Sequence, residues 1–99
     1  MRANQLAPIH PGEILRAEFL APLAMTPYAL AALLRVPRTR IERLVREETA
    51  VTPDTALRLA RYFGTTPEFW LGIQSRFGVE TARRTLDADI AAIKPRKTA

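Results

Sequence analysis

The chain has no cysteine and only one histidine among its 99 residues. Without cysteine there is no disulfide framework and no thiolate chemistry, and a lone histidine does not make a zinc-like cluster. We therefore expect no metal and no cofactor, and we expect His10 to lie in a loop just before the first helix. The chain also lacks an apolar run of membrane-spanning length and a recognisable secretion signal, which favours a bacterial cytoplasmic protein.

The residues needed for catalysis are equally scarce. Ser75 is the only serine and has no recognisable base near it in sequence, and no glycine-rich phosphate loop is present. The acidic pairs Asp54 with Glu68 and Asp87 with Asp89 fall at predicted helix starts or on a polar face, where carboxylates stabilise helix dipoles or contact water. The sequence predicts that the protein is not an enzyme.

Basic residues are in excess. Fifteen lysines and arginines against ten acidic residues give a net charge of +5, which favours polyanionic partners. The length allows one domain spanning residues 1–99, with a flexible arm at residues 1–8 and a flexible tail at residues 95–99.

Helix signals recur along the whole chain. Thr26, Thr52 and Thr66 each precede a proline, and a hydroxyl cap followed by a proline is typical of a helix start. Apolar residues at helical spacing complete a pattern of five or six helices and no strand, so we predict an all-α, compact bundle. We predict that the first helix ends at Leu20, before Ala21-Pro22, and that Gly78 divides residues 66–93 into two helices.

The segment 26–46 carries the strongest functional signal. It predicts two short helices joined by a tight turn, the arrangement of a helix-turn-helix, whose second helix enters the major groove. We predict base contacts from Arg38 and Thr39, because arginine and threonine can both distinguish bases. The predicted backbone contacts come from Thr26, Tyr28, Arg40, Arg43 and Arg46. The alternative is that these arginines only form a solvated helix face.

An aromatic stripe follows in the helix that begins at Thr66. Its members are Phe69, Trp70, Ile73 and Phe77. Such a stripe belongs either to the core or to a contact surface, where tryptophan is favoured. Because one short recognition helix reads few base pairs, a homodimer is expected, and we predict that these residues form its interface.

Several longer motifs carry a family resemblance that covers roughly residues 8–84. They are HPGEIL (10–15), APLAMT (21–26), TPDTALRLARYFGTTPEFWLGIQ (52–74) and RFGVETAR (76–83). With them the chain resembles the HigA-type antitoxins, a branch of the phage-repressor-like helix-turn-helix proteins. The resemblance implies a lambda-repressor-like bundle that dimerises through its fifth and C-terminal helices. It also implies a protein that neutralises a RelE-like mRNA-cleaving toxin by direct binding and represses its own promoter on double-stranded operator DNA.

Two features depart from that family pattern. Arg35 occupies the turn position where glycine is usual, so either the turn is strained or its geometry differs. Glu47 and Glu48 follow the recognition helix, where negative charge should weaken DNA binding. Two other hypotheses therefore stay open: a stand-alone helix-turn-helix repressor without a toxin, and a toxin-binding or dimerisation module with weakened DNA binding.

Overall fold

The computed structural model describes residues 7–97, and this part of the chain forms five helices and no strand. The helices are α1 (Pro11–Leu23), α2 (Pro27–Leu34), α3 (Arg38–Val45), α4 (Pro53–Phe63) and α5 (Pro67–Ala91). The predicted all-α bundle is confirmed. The predicted arm at residues 1–8 and tail at residues 95–99 lie partly outside the described residues, and the arm and tail remain predictions.

The threonine caps form as predicted. The side-chain oxygens of Thr26, Thr52 and Thr66 each accept a hydrogen bond from the backbone N–H three residues later, at 3.0, 3.3 and 3.1 Å. His10 also caps α1 with its side chain, because its Nδ1 accepts from the N–H of Gly12, two residues later, at 2.8 Å. Burial lowers the pKa of His10, and a neutral ring leaves Nδ1 free to accept this bond. The expected loop histidine is thus the buried cap of the first helix.

The prediction that α1 ends at Leu20 was wrong. The helix continues to Leu23 and passes through Pro22, and its middle turns, Leu15–Leu20, are wound as a π-helix. A proline ring inside a regular helix clashes with the carbonyl four residues earlier. The wider π turn directly before Pro22 shifts those carbonyls and lets the helix run one turn further.

The prediction that Gly78 separates two helices was also wrong. The chain is helical from Pro67 to Ala91, with Gly72 and Gly78 inside the helix. A glycine costs about 1 kcal/mol in a helix, which is too little to break one whose neighbours continue the pattern. From residue 78 onward every helical residue is exposed, so the second half of α5 extends from the bundle as an arm.

The core lies where the first four helices meet the start of α5. Its fully buried members include Leu15, Leu30, Ile41, Leu44, Leu59 and Trp70. Trp70 satisfies its indole N–H by donating to the Thr65 hydroxyl at 2.8 Å. Within the described residues no single helix is long and apolar enough to cross a membrane. The pair α1 and α2 passes that test together, but it is bent by 96°, and Leu15, Leu20, Leu30 and Leu34 of this pair lie in the core.

Candidate nucleic-acid interface

The turn between α2 and α3 has the left-handed geometry that a helix end requires. Arg35 has φ of 62°, its N–H donates to the Ala32 carbonyl at 3.2 Å, and the Val36 N–H donates to the Ala31 carbonyl at 3.1 Å. These two bonds form a Schellman motif, a helix ending in which the left-handed residue is usually glycine. The turn therefore has the usual geometry rather than a different one, and the left-handed backbone of Arg35 is strained because the residue is not glycine.

The outward face of α3 is open. Ile41, Leu44 and Val45 are buried, as predicted, and at about 100° per residue Thr39 and Arg43 point the opposite way. Arg38, Thr39 and Arg43 are all exposed, and no segment among residues 7–97 covers them. Arg43 has no ion pair within this described range, so its charge is available to a partner.

The first turns of α2 and α3 lie side by side. The Arg38 guanidinium carbon is 6.0 Å from the centre of the exposed Tyr28 ring, which makes a cation–π contact. The Nε of Arg38 also lies 4.0 Å from the carboxylate Oε2 of Glu42. Thr26 begins α2 only two residues before Tyr28. The structure thus brings together Thr26, Tyr28 and Arg38, which the sequence assigned to one surface.

Two of the predicted phosphate ligands are paired with carboxylates. Arg40 contacts Asp54 at 2.6 Å, and Arg46 contacts Glu48 at 3.2 Å. Asp54 accepts a second bond from Arg58 at 2.8 Å, and the hydrogen bonds from Arg58 and Arg40 lower the pKa of Asp54. The carboxylate therefore stays ionised at neutral pH. The sequence assigned Asp54 only to a helix start and missed this link between α3 and α4.

Arg16 is a further residue that the sequence did not single out. Its guanidinium donates to the Val45 carbonyl at the end of α3 and lies 3.2 Å from the Glu47 carboxylate. Arg16 precedes Glu47 by 31 residues, so no local pattern could have shown the pair. Both acidic residues that were expected to repel DNA, Glu47 and Glu48, thus have an arginine partner.

The predicted dimer residues divide into two groups. Trp70 is fully buried in the core, so its side chain is not available to a second protomer, and this part of the prediction was wrong. Phe69 is exposed, and Ile73 and Phe77 are half-buried, with the Phe77 ring 4.7 Å from the His10 ring. Trp70 is enclosed because Phe19 of α1 lies against it, with ring centres 5.0 Å apart.

Comparison with known proteins identifies the family. Residues 16–70 match the sequence model of the family described as Helix-turn-helix. Antitoxin HigA-1 of Vibrio cholerae is 35% identical over 95 residues, which cover 96% of this chain and 90% of that protein. The chain belongs to the HigA-type helix-turn-helix antitoxin family.

Two further comparisons agree with this membership. Virulence-associated protein I of Dichelobacter nodosus is 46% identical over 81 residues, covering 82% of this chain and 75% of that protein. The solved structure described as Pseudomonas aeruginosa antitoxin HigA with higBA promoter superimposes with a TM-score of 0.87 at 42% identity. The match covers 91% of this chain and 99% of that one. The family resemblance seen in the sequence motifs is confirmed.

Proposed function

We propose that this protein is an antitoxin that binds operator DNA through α3, represses its own promoter as a homodimer and neutralises a RelE-like mRNA-cleaving toxin by direct binding. These roles place it in the bacterial cytoplasm, where operator and toxin meet. The similar Pseudomonas aeruginosa antitoxin was solved with promoter DNA, which supports the operator as partner.

The observation that carries the proposal is the uncovered face of α3 beside the start of α2. Arg38 and Thr39 stand at the end of α3 that enters a groove, and we assign them to base edges. Arg43 lies on the same open face and is assigned to a phosphate. The capped start of α2 at Thr26, with the Tyr28 hydroxyl, supplies further backbone contacts.

Arg40 and Arg46 enter this surface differently. Each is paired with a carboxylate in the free protein, so each must exchange that partner for a phosphate or share it. Solvent-exposed ion pairs of this kind contribute little to stability, so the exchange is inexpensive. We assign both residues to the DNA backbone.

Two observations favour DNA binding over a module with a weakened DNA surface. Arg35 takes the left-handed conformation that the turn needs, and the charge of Glu47 is offset by Arg16, which is not assigned to DNA. Arg35 therefore does not distort the surface of α3, and Glu47 does not oppose it.

Binding of the protein's own promoter, followed by fluorescence anisotropy at several salt concentrations, tests the DNA assignment. Arg38→Ala should cost about 1–3 kcal/mol and relax specificity, because it removes a base contact. Arg43→Ala should weaken all sequences alike and reduce the salt slope by about one unit, because it removes a phosphate contact. Arg61→Ala on α4 removes the same charge away from α3 and serves as the control. Binding that neither α3 variant changes would show that another surface contacts the operator.

The toxin assignment has its own test. Co-expression with the adjacent open reading frame should yield a complex that copurifies with this protein and silences the toxicity of the partner. A neighbouring product that is not toxic, or is not bound, would leave a stand-alone repressor.

A further inference from the structure

A groove of about 610 Å³ lies between the end of α2 and the outer side of α4. Its apolar floor is formed by Leu33, Leu57 and Tyr62, which are 54%, 59% and 43% exposed. Exposed apolar side chains that lie together across two helices, rather than singly, are typical of a contact surface.

The sequence of α2 explains why the floor is there. The helix PYALAALL is apolar on almost every side, and the core uses only the face of Leu30, Ala31 and Leu34. Leu33 points away from that face, although its spacing in the sequence resembles that of a core residue. A helix that is apolar all round is normally covered on both sides. The second side of α2 is therefore without a partner in the described chain.

The walls of the groove carry three arginines, Arg35, Arg58 and Arg61, and one carboxylate, Asp54, so their net charge is positive. Arg58 donates to the Leu34 carbonyl at 2.8 Å and to Asp54, so it braces the end of α2 against α4. Arg35 and Arg61 also line the groove and have no ion pair within residues 7–97. A ligand of this groove must cover leucine side chains and can neutralise two arginines.

That chemistry favours a protein over DNA. Phosphates would pair with the arginines but leave the leucines in contact with water, whereas an amphipathic helix with carboxylates along its edge satisfies both. The groove shares no residue with the open face of α3 or with the exposed arm of α5.

We propose that this groove is the docking site for the cognate toxin, which inserts an amphipathic helix whose apolar residues cover Leu33 and Leu57 and whose carboxylates pair with Arg35 and Arg61. The inference rests on the proposed function, which includes direct binding of a toxin. It assigns the toxin-binding surface to α2 and α4.

The experiment measures binding of the purified product of the adjacent open reading frame to the full chain and its variants by calorimetry. Leu57→Glu should weaken this binding by about 30-fold or more, because it places a charge at the centre of the apolar floor and repels the carboxylates. Arg61→Glu should weaken it by about tenfold, and Arg61→Lys should retain most of it. Leu23→Glu is the matched control, since Leu23 is an equally exposed leucine outside the groove.

Operator binding and sedimentation of each variant show whether DNA or a second copy of the chain occupies the groove. If the toxin is the occupant, the operator affinity and the dimeric state of each variant match those of the unsubstituted protein. If Leu57→Glu and Arg61→Glu bind the toxin normally, the groove is not the docking site, although the antitoxin function stands. If the unsubstituted protein itself does not bind the toxin, the proposed function fails and the inference fails with it. Loss of dimer or of operator binding in these variants would assign the groove to a second copy or to DNA and overturn the proposal.

Discussion

At the scale of single residues, Gly12 shows how closely α1 approaches the recognition helix. A Cβ built on Gly12 would lie 1.8 Å from the carbonyl oxygen of Leu44, which is backbone near the end of α3. The neighbouring Arg16 binds the Val45 carbonyl of the same turn. The start of α1 thus fixes the end of α3, and only glycine allows the two backbones to come this near.

Gly12→Ala should therefore destabilise the protein by about 3 kcal/mol, because the added methyl group forces two backbones apart. Urea unfolding followed by circular dichroism measures the change. Gly72→Ala is the control, since a Cβ there meets nothing within 4 Å and alanine favours the helix by about 1 kcal/mol. Equal stability of the Gly12 variant and the unsubstituted protein would show that α1 and α3 are not held this closely.

At the scale of elements, the helix ends show an uneven use of glycine. Among residues 7–97, four have a left-handed backbone, and each follows a helix: Ala24, Arg35, Glu47 and Gly64. Only Gly64 has the residue type that adopts this conformation without steric cost. The helices therefore end where the tertiary structure requires, and three of the ends store local strain.

Arg35→Gly should relieve one of these strains and stabilise the protein by about 0.5–1 kcal/mol, after allowance for the greater freedom of glycine in the unfolded chain. The reverse change, Gly64→Ala, should destabilise it by about 1 kcal/mol for the same reason. Thermal unfolding of both variants checks the pair. A loss of stability in Arg35→Gly would mean that the arginine side chain contributes more than its backbone costs.

At the scale of the whole molecule, α5 determines the shape. The protein measures 53 × 31 × 23 Å, and a 25-residue helix accounts for about 37 Å of the longest dimension. Along the exposed arm, Val79 and Leu86 lie seven residues apart and Ile90 lies on the same side as Leu86, whereas Ile93 follows two residues after the end of the helix. A seven-residue apolar repeat is typical of paired helices. We therefore extend the predicted dimer interface from Phe69, Ile73 and Phe77 to this stripe.

Leu86→Glu should make the protein monomeric and leave its thermal stability as a monomer unchanged, because the residue is exposed and contributes to pairing alone. Trp70→Ala should instead destabilise the folded protein by about 3–5 kcal/mol, because it leaves a cavity in the core. Sedimentation and thermal unfolding separate the two effects. A Leu86→Glu protein that remains dimeric would remove the arm from the interface.

The sequence by itself determined the local features of this protein. Thr26, Thr52 and Thr66 define helix starts because a hydroxyl cap acts within three residues, and Ile41, Leu44 and Val45 define the buried side of α3 because helical spacing is regular. The motifs were also long enough to show the family.

Tertiary structure decided what depends on residues far apart in the chain. Trp70 is core because α1 encloses it, and Glu47 is neutralised by an arginine 31 positions away. Leu33 has the spacing of a core residue and is exposed, since α2 has more apolar surface than the bundle can cover. Periodicity predicts which side chains share a helix face, but only packing determines which faces meet another part of the protein.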